Sequence, residues 1–148
     1  MTDEISLLDS NILVYAFDAS EKEKHEKAKS LLEHCFLGHR KYAVSLQNLS
    51  EFFVISTRKI ANPITKKEAA DIVEGIIAFD GFLKLEPTKK TVIRALSISI
   101  SSTLSYWDAL IAAAMLDNGI FNIYTENIKD FSKVDGIKIK NPFVGIKD

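Results

Sequence analysis

Three carboxylates, Asp9, Glu51 and Asp108, lie in stretches of the chain that hold no positive side chain. No Lys or Arg occurs from residue 1 to 21, from 42 to 57 or from 95 to 128. Most other acids have a Lys one helical turn away, as Glu23 has Lys27 and Glu86 has Lys90. Those read as solvated surface pairs, each contributing little. Asp3, Glu4, Glu74 and Asp117 also lack a local cation, but Glu74 falls on the polar side of its segment and Asp117-Asn118-Gly119 reads as a turn. Asp108 shares a helical face with Ile111, Ala112 and Met115, and Glu51 with Val54 and Ile55. A carboxylate among such neighbours is costly to bury unless something binds it. Carboxylates that converge repel one another and stay ionised together only when a cation offsets them. With oxygen donors and no Cys/His cluster, the expected ion is hard, Mg²⁺ or Mn²⁺ rather than zinc.

Each position also has a plain structural reading. Asp108 stands where a helix begins and suits an N-cap. Asp9 could close an Asx turn or a cap, and Glu51 could be half exposed at a helix edge. A further polar group, Thr125, Glu126, Asn127 and Asp130, follows an apolar run, with Lys129 near enough to neutralise either acid. His25, His34 and His39 lie on or after a charged segment and read as surface. Cys35 belongs to an apolar stripe, so His34, Cys35 and His39 are set aside as a zinc group.

The elements that must hold these groups can be read from periodicity. Over 21–37, Ala28, Leu31, Leu32, Cys35 and Phe36 recur at helical spacing, and Gly38 sits where a C-cap glycine belongs. Thr65-Lys66-Lys67-Glu68 is a capping box that opens a second helix. Pro87-Thr88 opens a third, 106–116 is apolar nearly all round and so predicts a buried helix, and 47–58 reads as helical. Strand-length apolar runs occupy 5–8, 42–45, 82–85, 121–124 and 136–139. Residues 12–17 fit either a continued strand or a helix. Strands alternating with helices predict a parallel α/β sheet with helices on both faces. Ligands in such sheets bind at the carboxyl ends of the strands, where Asp9 falls.

Length and composition set the outer bounds. The 148 residues, 47% hydrophobic and 26% charged, predict one soluble domain over 1–148. Cys35 is the only cysteine, which excludes an intramolecular disulfide and fits a reducing compartment. No apolar run is long enough to span a bilayer, and the opening with Asp3 and Glu4 is unlike a secretory signal. These point to a cytoplasmic protein without a membrane partner. The net charge of −1 gives no general argument for nucleic-acid binding. It leaves any such role to local patches: Arg40-Lys41, Arg58-Lys59, and Lys138 with Lys140.

The stretch from Leu7-Leu8-Asp9-Ser10-Asn11 through Ala16, Ser50-Glu51-Phe52, and Tyr106-Trp107-Asp108-Ala109 through Ala114 resemble, in this order and spacing, the PIN-domain family and its VapC-type toxin ribonucleases. Tyr124-Thr125-Glu126-Asn127, Lys129-Asp130-Phe131 and Asn141-Pro142-Phe143 complete the likeness, which covers essentially the whole chain. The resemblance implies a three-layer α/β/α sandwich around a central parallel sheet and Mg²⁺- or Mn²⁺-dependent cleavage of RNA to 5′-phosphate and 3′-hydroxyl ends. By position it makes Asp9, Glu51 and Asp108 the metal ligands, with Asn11 orienting Asp9. Ser10 stands where the family often has Thr. The fourth acidic position departs from the commonest pattern: Asn127 stands there, between Glu126 and Asp130, and the choice among the three stays open, with Glu126 carried as the catalytic candidate and Thr125, Asn127 and Asp130 as supporting groups. The resemblance also implies an antitoxin partner and a homodimer, to whose surfaces Phe17, Phe52 and Phe53 are candidate contributors. Two alternatives remain. One is a catalytically degenerate PIN domain that only binds protein. The other is a haloacid-dehalogenase-like phosphatase, which would need a second Asp where Asn11 stands.

Overall fold

A computed structural model describes residues 4–146; Asp3, unpaired in the sequence, lies outside them. The chain runs β1 (Ser6–Leu8), α1 (Ser10–Phe17), α2 (Lys22–Phe36), β2 (Tyr42–Ser45), α3 (Leu46–Arg58), α4 (Lys66–Ala78), β3 (Phe82–Leu85), α5 (Lys89–Ser102), α6 (Tyr106–Asp117), β4 (Asn122–Tyr124), α7 (Ile128–Phe131) and β5 (Lys138–Lys140). All five strands are parallel, in the order β3-β2-β1-β4-β5. The alternating side chains of the strands divide the core in two. Leu8, Tyr42, Val44, Phe82 and Tyr124 face α1 to α4. Leu7, Ala43, Leu85 and Ile123 face α6 and α7, with α5 packed on α6. The result is the expected three-layer α/β/α sandwich.

Local chemistry explains most of the boundaries. Thr65 and Glu68 form the capping box of α4, as the spacing predicts. Gly38, at φ +78°, ends α2 in a Schellman arrangement, with His39 N bonded to His34 O and Gly38 N to Cys35 O. The seven residues Ala109 to Met115 of α6 are all buried, which accounts for a helix with no polar side. Residues 12–17 do not continue β1: they belong to α1, which starts at Ser10 because Asp9 caps it. Three readings are corrected. The last strand begins two residues later than expected, because Gly136 turns the chain at φ +88°. Phe52 is fully buried and packs edge-on against Phe17 at 5.7 Å, so it is core and not a partner surface. The cap of α6 is Ser105, whose hydroxyl accepts from Asp108 N at 3.3 Å. Asp108 therefore lies inside the first turn with its carboxylate free of the capping role.

The sheet order also fixes where a site can form. After β1 the chain moves outward on one side to β2 and β3. It returns to the other side of β1 for β4 and β5. The crevice between the carboxyl ends of β1 and β4 is the switch point, where open α/β sheets bind ligands. Asp9 follows β1 and Thr125 follows β4.

Candidate active site

Asp9 is 5% exposed, and its carboxylate receives four donors. Oδ1 accepts from Ser10 N at 2.8 Å and Asn48 Nδ2 at 3.2 Å. Oδ2 accepts from Thr125 Oγ1 at 2.7 Å and Asn11 Nδ2 at 3.4 Å. Burial pushes the carboxyl upward from its ordinary range, and the Thr125 and Ser10 hydrogen bonds pull against it. The donors fix the orientation of the Asp9 carboxylate. They come from α1, α3 and the end of β4, so one side chain ties three elements together.

Asn11 stands between two of those elements. Its Nδ2 also donates to Thr125 Oγ1 at 3.1 Å, and its Oδ1 accepts from Glu126 N at 3.4 Å. Thr125 is fully buried, and its hydroxyl accepts from Asn127 N at 2.9 Å while donating to Asp9. Asn48 was not singled out by the sequence. Its carbonyl and backbone form the capping box of α3 with Ser45, and its amide reaches Asp9. One signal was available, since an Asn three residues before Glu51 lies on the same side of that helix.

Glu51 and Asp108 approach the same place from α3 and α6. Burial raises the Glu51 carboxyl to about 6, and the charges of Asp9 and Asp108 add to the rise. Its Oε1 is buried without a hydrogen-bond partner among the described residues. Burial likewise raises Asp108, against the Ser105 hydrogen bond, and the charge of Asp130 raises it further. The N-terminal turn of α6 favours an anion there. Gln47 Nε2 donates to Trp107 O at 3.0 Å and holds the starts of α3 and α6 together.

Asp9, Asn11, Glu51, Asp108 and Asn127 line one cleft of about 570 Å³, together with Asp18, Glu21 and Lys59. The other sequence candidates sit beside it. Thr125 acts through Asp9, and Asp130 is coupled to Asp108 while its Oδ1 lies 3.6 Å from Lys133. Glu126 is paired elsewhere: Lys24 Nζ, buried from α2, reaches its carboxylate at 2.9 Å. The neutralising cation for Glu126 is thus Lys24 and not the adjacent Lys129.

The donor set suits a hard divalent ion. All candidate ligands are carboxylate or amide oxygens, and Glu51 Oε1 is a buried acceptor lacking a donor. Among the described residues no three His, Cys, Asp or Glu side chains stand close enough to clasp an ion by themselves. Magnesium commonly uses one or two carboxylates and keeps several waters, which such spacing accommodates. Asp9, Glu51 and Asp108 are the residues that would hold it.

Comparison with known proteins gives the same outline. The sequence model of the PIN domain family matches residues 6–137. No curated protein matches the sequence. Among solved structures, VapC20 from Mycobacterium tuberculosis, a sarcin-ricin loop cleaving toxin, is similar at 20% identity and a TM-score of 0.69, covering 91% of this chain and 98% of its own. The DNA-bound VapBC of Salmonella typhimurium is similar at 20% identity and 0.66, covering 95% and 99%. A toxin–antitoxin complex from Klebsiella pneumoniae is similar at 23% identity and 0.63, covering 93% and 97%. At these identities the likeness is one of fold.

Proposed function

The chain belongs to the PIN-domain family, and on that premise we propose that it is a divalent-metal-dependent endoribonuclease, the toxin of a toxin–antitoxin pair. The observation that carries the activity is the convergence of Asp9, Glu51 and Asp108 on one cleft, where Glu51 keeps a buried oxygen without a partner. Three acids from three elements, with burial raising each of their pKa values, form an arrangement that an external cation completes.

A divalent ion held by Asp9, Glu51 and Asp108, Mg²⁺ or Mn²⁺, would supply an activated water at neutral pH and positive charge for the phosphate oxygens. The protein's part is placement. Asp9 lines the cleft and is locked by Ser10 N, Asn48, Thr125 and Asn11, so its carboxylate keeps one orientation without reorganisation. Deprotonated Glu51 and Asp108 complete the anionic wall. Lys59, at the end of α3, is the cation lining the cleft and is placed to meet a phosphodiester oxygen next to the scissile bond. Hydrolysis with departure of the 3′ oxygen leaves 5′-phosphate and 3′-hydroxyl ends. Glu126, held by Lys24, braces the loop after β4 and leaves Asn127 and Asp130 nearer the reacting groups.

The reading is tested by RNA cleavage in Mg²⁺ or Mn²⁺ with purified Asp9→Asn and Asp108→Asn. Both variants should be inactive while still folded. Undiminished cleavage by either would sink it. The haloacid-dehalogenase-like alternative loses its footing with the family match and with Asn11, whose side chain serves Asp9 and Thr125.

The toxin reading draws on neighbours that are toxin–antitoxin assemblies. An apolar groove of about 540 Å³ between α3 and α4, lined by Leu46, Leu49, Phe53, Val54, Val73 and Ile77, suits an amphipathic antitoxin segment. A homodimer has a candidate surface in the exposed stripe Ile93, Leu96 and Ile100 of α5. No helix among the described residues is long and apolar enough to cross a membrane.

A further inference from the structure

Two of the basic patches that the sequence leaves unexplained, Arg40 and the pair Lys138 and Lys140, are about a hundred residues apart but meet in a second pocket. It holds about 180 Å³ and is lined by these three cations together with Glu4, Ser6, Asn122 and Tyr124. The Arg40 guanidinium stands over the rings of Tyr42 at 5.2 Å and Tyr124 at 5.9 Å. Lys140 Nζ lies over Tyr124 at 5.7 Å. Two aromatic faces thus hold two cations in place without neutralising them. None of the three makes an ion pair among the described residues, and Arg40 Nε is buried without an acceptor. Glu4 is the carboxylate in the lining, and the Asn122 amide donates to it at 3.1 Å. Three cations against one acid leave the pocket positive in a chain whose net charge is −1.

We infer that Arg40, Lys138 and Lys140 form a phosphate-binding pocket for the backbone of the RNA that the cleft cuts, engaging it away from the scissile bond. This rests on the ribonuclease reading and adds a contact to it. The geometry favours a connected substrate. Thr125 N donates to Lys140 O at 3.1 Å, and the same residue's hydroxyl holds Asp9. In register, Leu8 of β1 pairs with Tyr124 of β4, which pairs with Lys140 of β5. Ser6 of β1 lines the pocket three residues before Asp9, which at about 3.3 Å per residue sets the pocket on the order of 10 Å from that carboxylate, toward the amino ends of the strands. An RNA a few nucleotides long can span that interval, and a guanidinium fork with two ammonium groups suits phosphodiester oxygens. The cleft itself is acidic, so affinity for a polyanion has to come from elsewhere.

The test is binding of a fluorescent single-stranded RNA of about 20 nucleotides, read by anisotropy without divalent ion so that the RNA stays intact, over a range of KCl. Lys138→Gln/Lys140→Gln should weaken binding about tenfold at low salt and reduce the slope of log affinity against log salt by about 0.7 per lost contact. Arg40→Gln should act in the same direction, but it sits on the core rings, so the lysine pair carries the decision. Lys67→Gln, on exposed α4 and paired with Asp71, should change nothing. With Mg²⁺ restored, the lysine pair should raise KM for long RNA, leave kcat unchanged and leave cleavage of a dinucleotide intact. Unchanged slope and affinity in the lysine pair, with binding and cleavage normal in the unaltered chain, overturn the pocket and spare the ribonuclease reading. Absence of both binding and cleavage in the unaltered chain overturns the two together.

Discussion

Glu51 and Glu126 are the same residue type within one small protein, and their surroundings are opposite. Glu126 meets Lys24 at 2.9 Å, and the ammonium is itself held over Tyr15 at 5.1 Å and Phe143 at 5.9 Å. Glu51 makes no ion pair among the described residues; it faces Asp9 and Asp108, keeps one buried oxygen unpartnered and has its carboxyl raised to about 6. Near Glu126 the chain provides its own counter-charge. Around Glu51 no such partner stands among the described residues, and in the proposed function an external cation supplies the charge. In the proposed function, that difference separates a carboxylate that braces the fold from one that the fold holds ready.

The comparison can be broken from either side. Removing an acid from the uncompensated cluster should cost most: Asp9→Asn is expected to lower RNA cleavage by a factor on the order of 10³ in a single-turnover assay, with a near-native circular dichroism spectrum. Removing the cation from the compensated cluster should act on stability. Lys24→Met leaves Glu126 partly buried without its partner and should cost about 2 kcal/mol, or a fall in Tm of about 5 °C by calorimetry. Turnover per folded molecule should stay within about threefold of the unaltered rate. A variant that lost activity and kept its Tm would contradict the division of roles.

Glu51→Gln should do both things in opposite directions. Cleavage falls, while the ion-free protein gains a few degrees in Tm at neutral pH because a repelling charge is gone. The pH dependence follows from the sign of the shift. A carboxyl raised from 4.5 to about 6 binds more protons in the folded state between those values. Ion-free stability is therefore lost as pH rises through that window. Thermal melts at pH 4.5 and 7.5 should show the unaltered chain losing more Tm than Glu51→Gln on going up. Added Mg²⁺ should restore Tm at the higher pH. The smallest effect is expected at Asn48, where Asn48→Ala removes the side-chain half of the α3 capping box and one Asp9 hydrogen bond and should cost about 1–2 kcal/mol in urea denaturation.

Much of this contrast was legible in the sequence. Missing cations around residues 9, 51 and 108 are a one-dimensional signal that survives folding, because the neighbours that would neutralise an acid are often on its own helix. The helix α4 was legible for the same reason, since Thr65 and Glu68 act on each other locally. What depended on distant contacts was not. Lys24 reaches Glu126 across 102 positions, so the nearer Lys129 looked like its partner. Ser105 and Asp108 are both good first-turn residues, and only the folded backbone assigns the cap. Asn48 does two things at once, and the bond to Asp9 spans 39 positions. The one-turn helix α7 has too few residues to show a period.

The most direct test of the central claim is a calorimetric titration of Mn²⁺ into the purified chain at pH 7.5, beside Glu51→Gln and Lys24→Met. Saturable binding by the unaltered chain and by Lys24→Met, and strongly weakened binding by Glu51→Gln, is the expected result. No heat of binding in the unaltered chain, or equal binding in all three, would contradict an acidic cleft built to receive an ion.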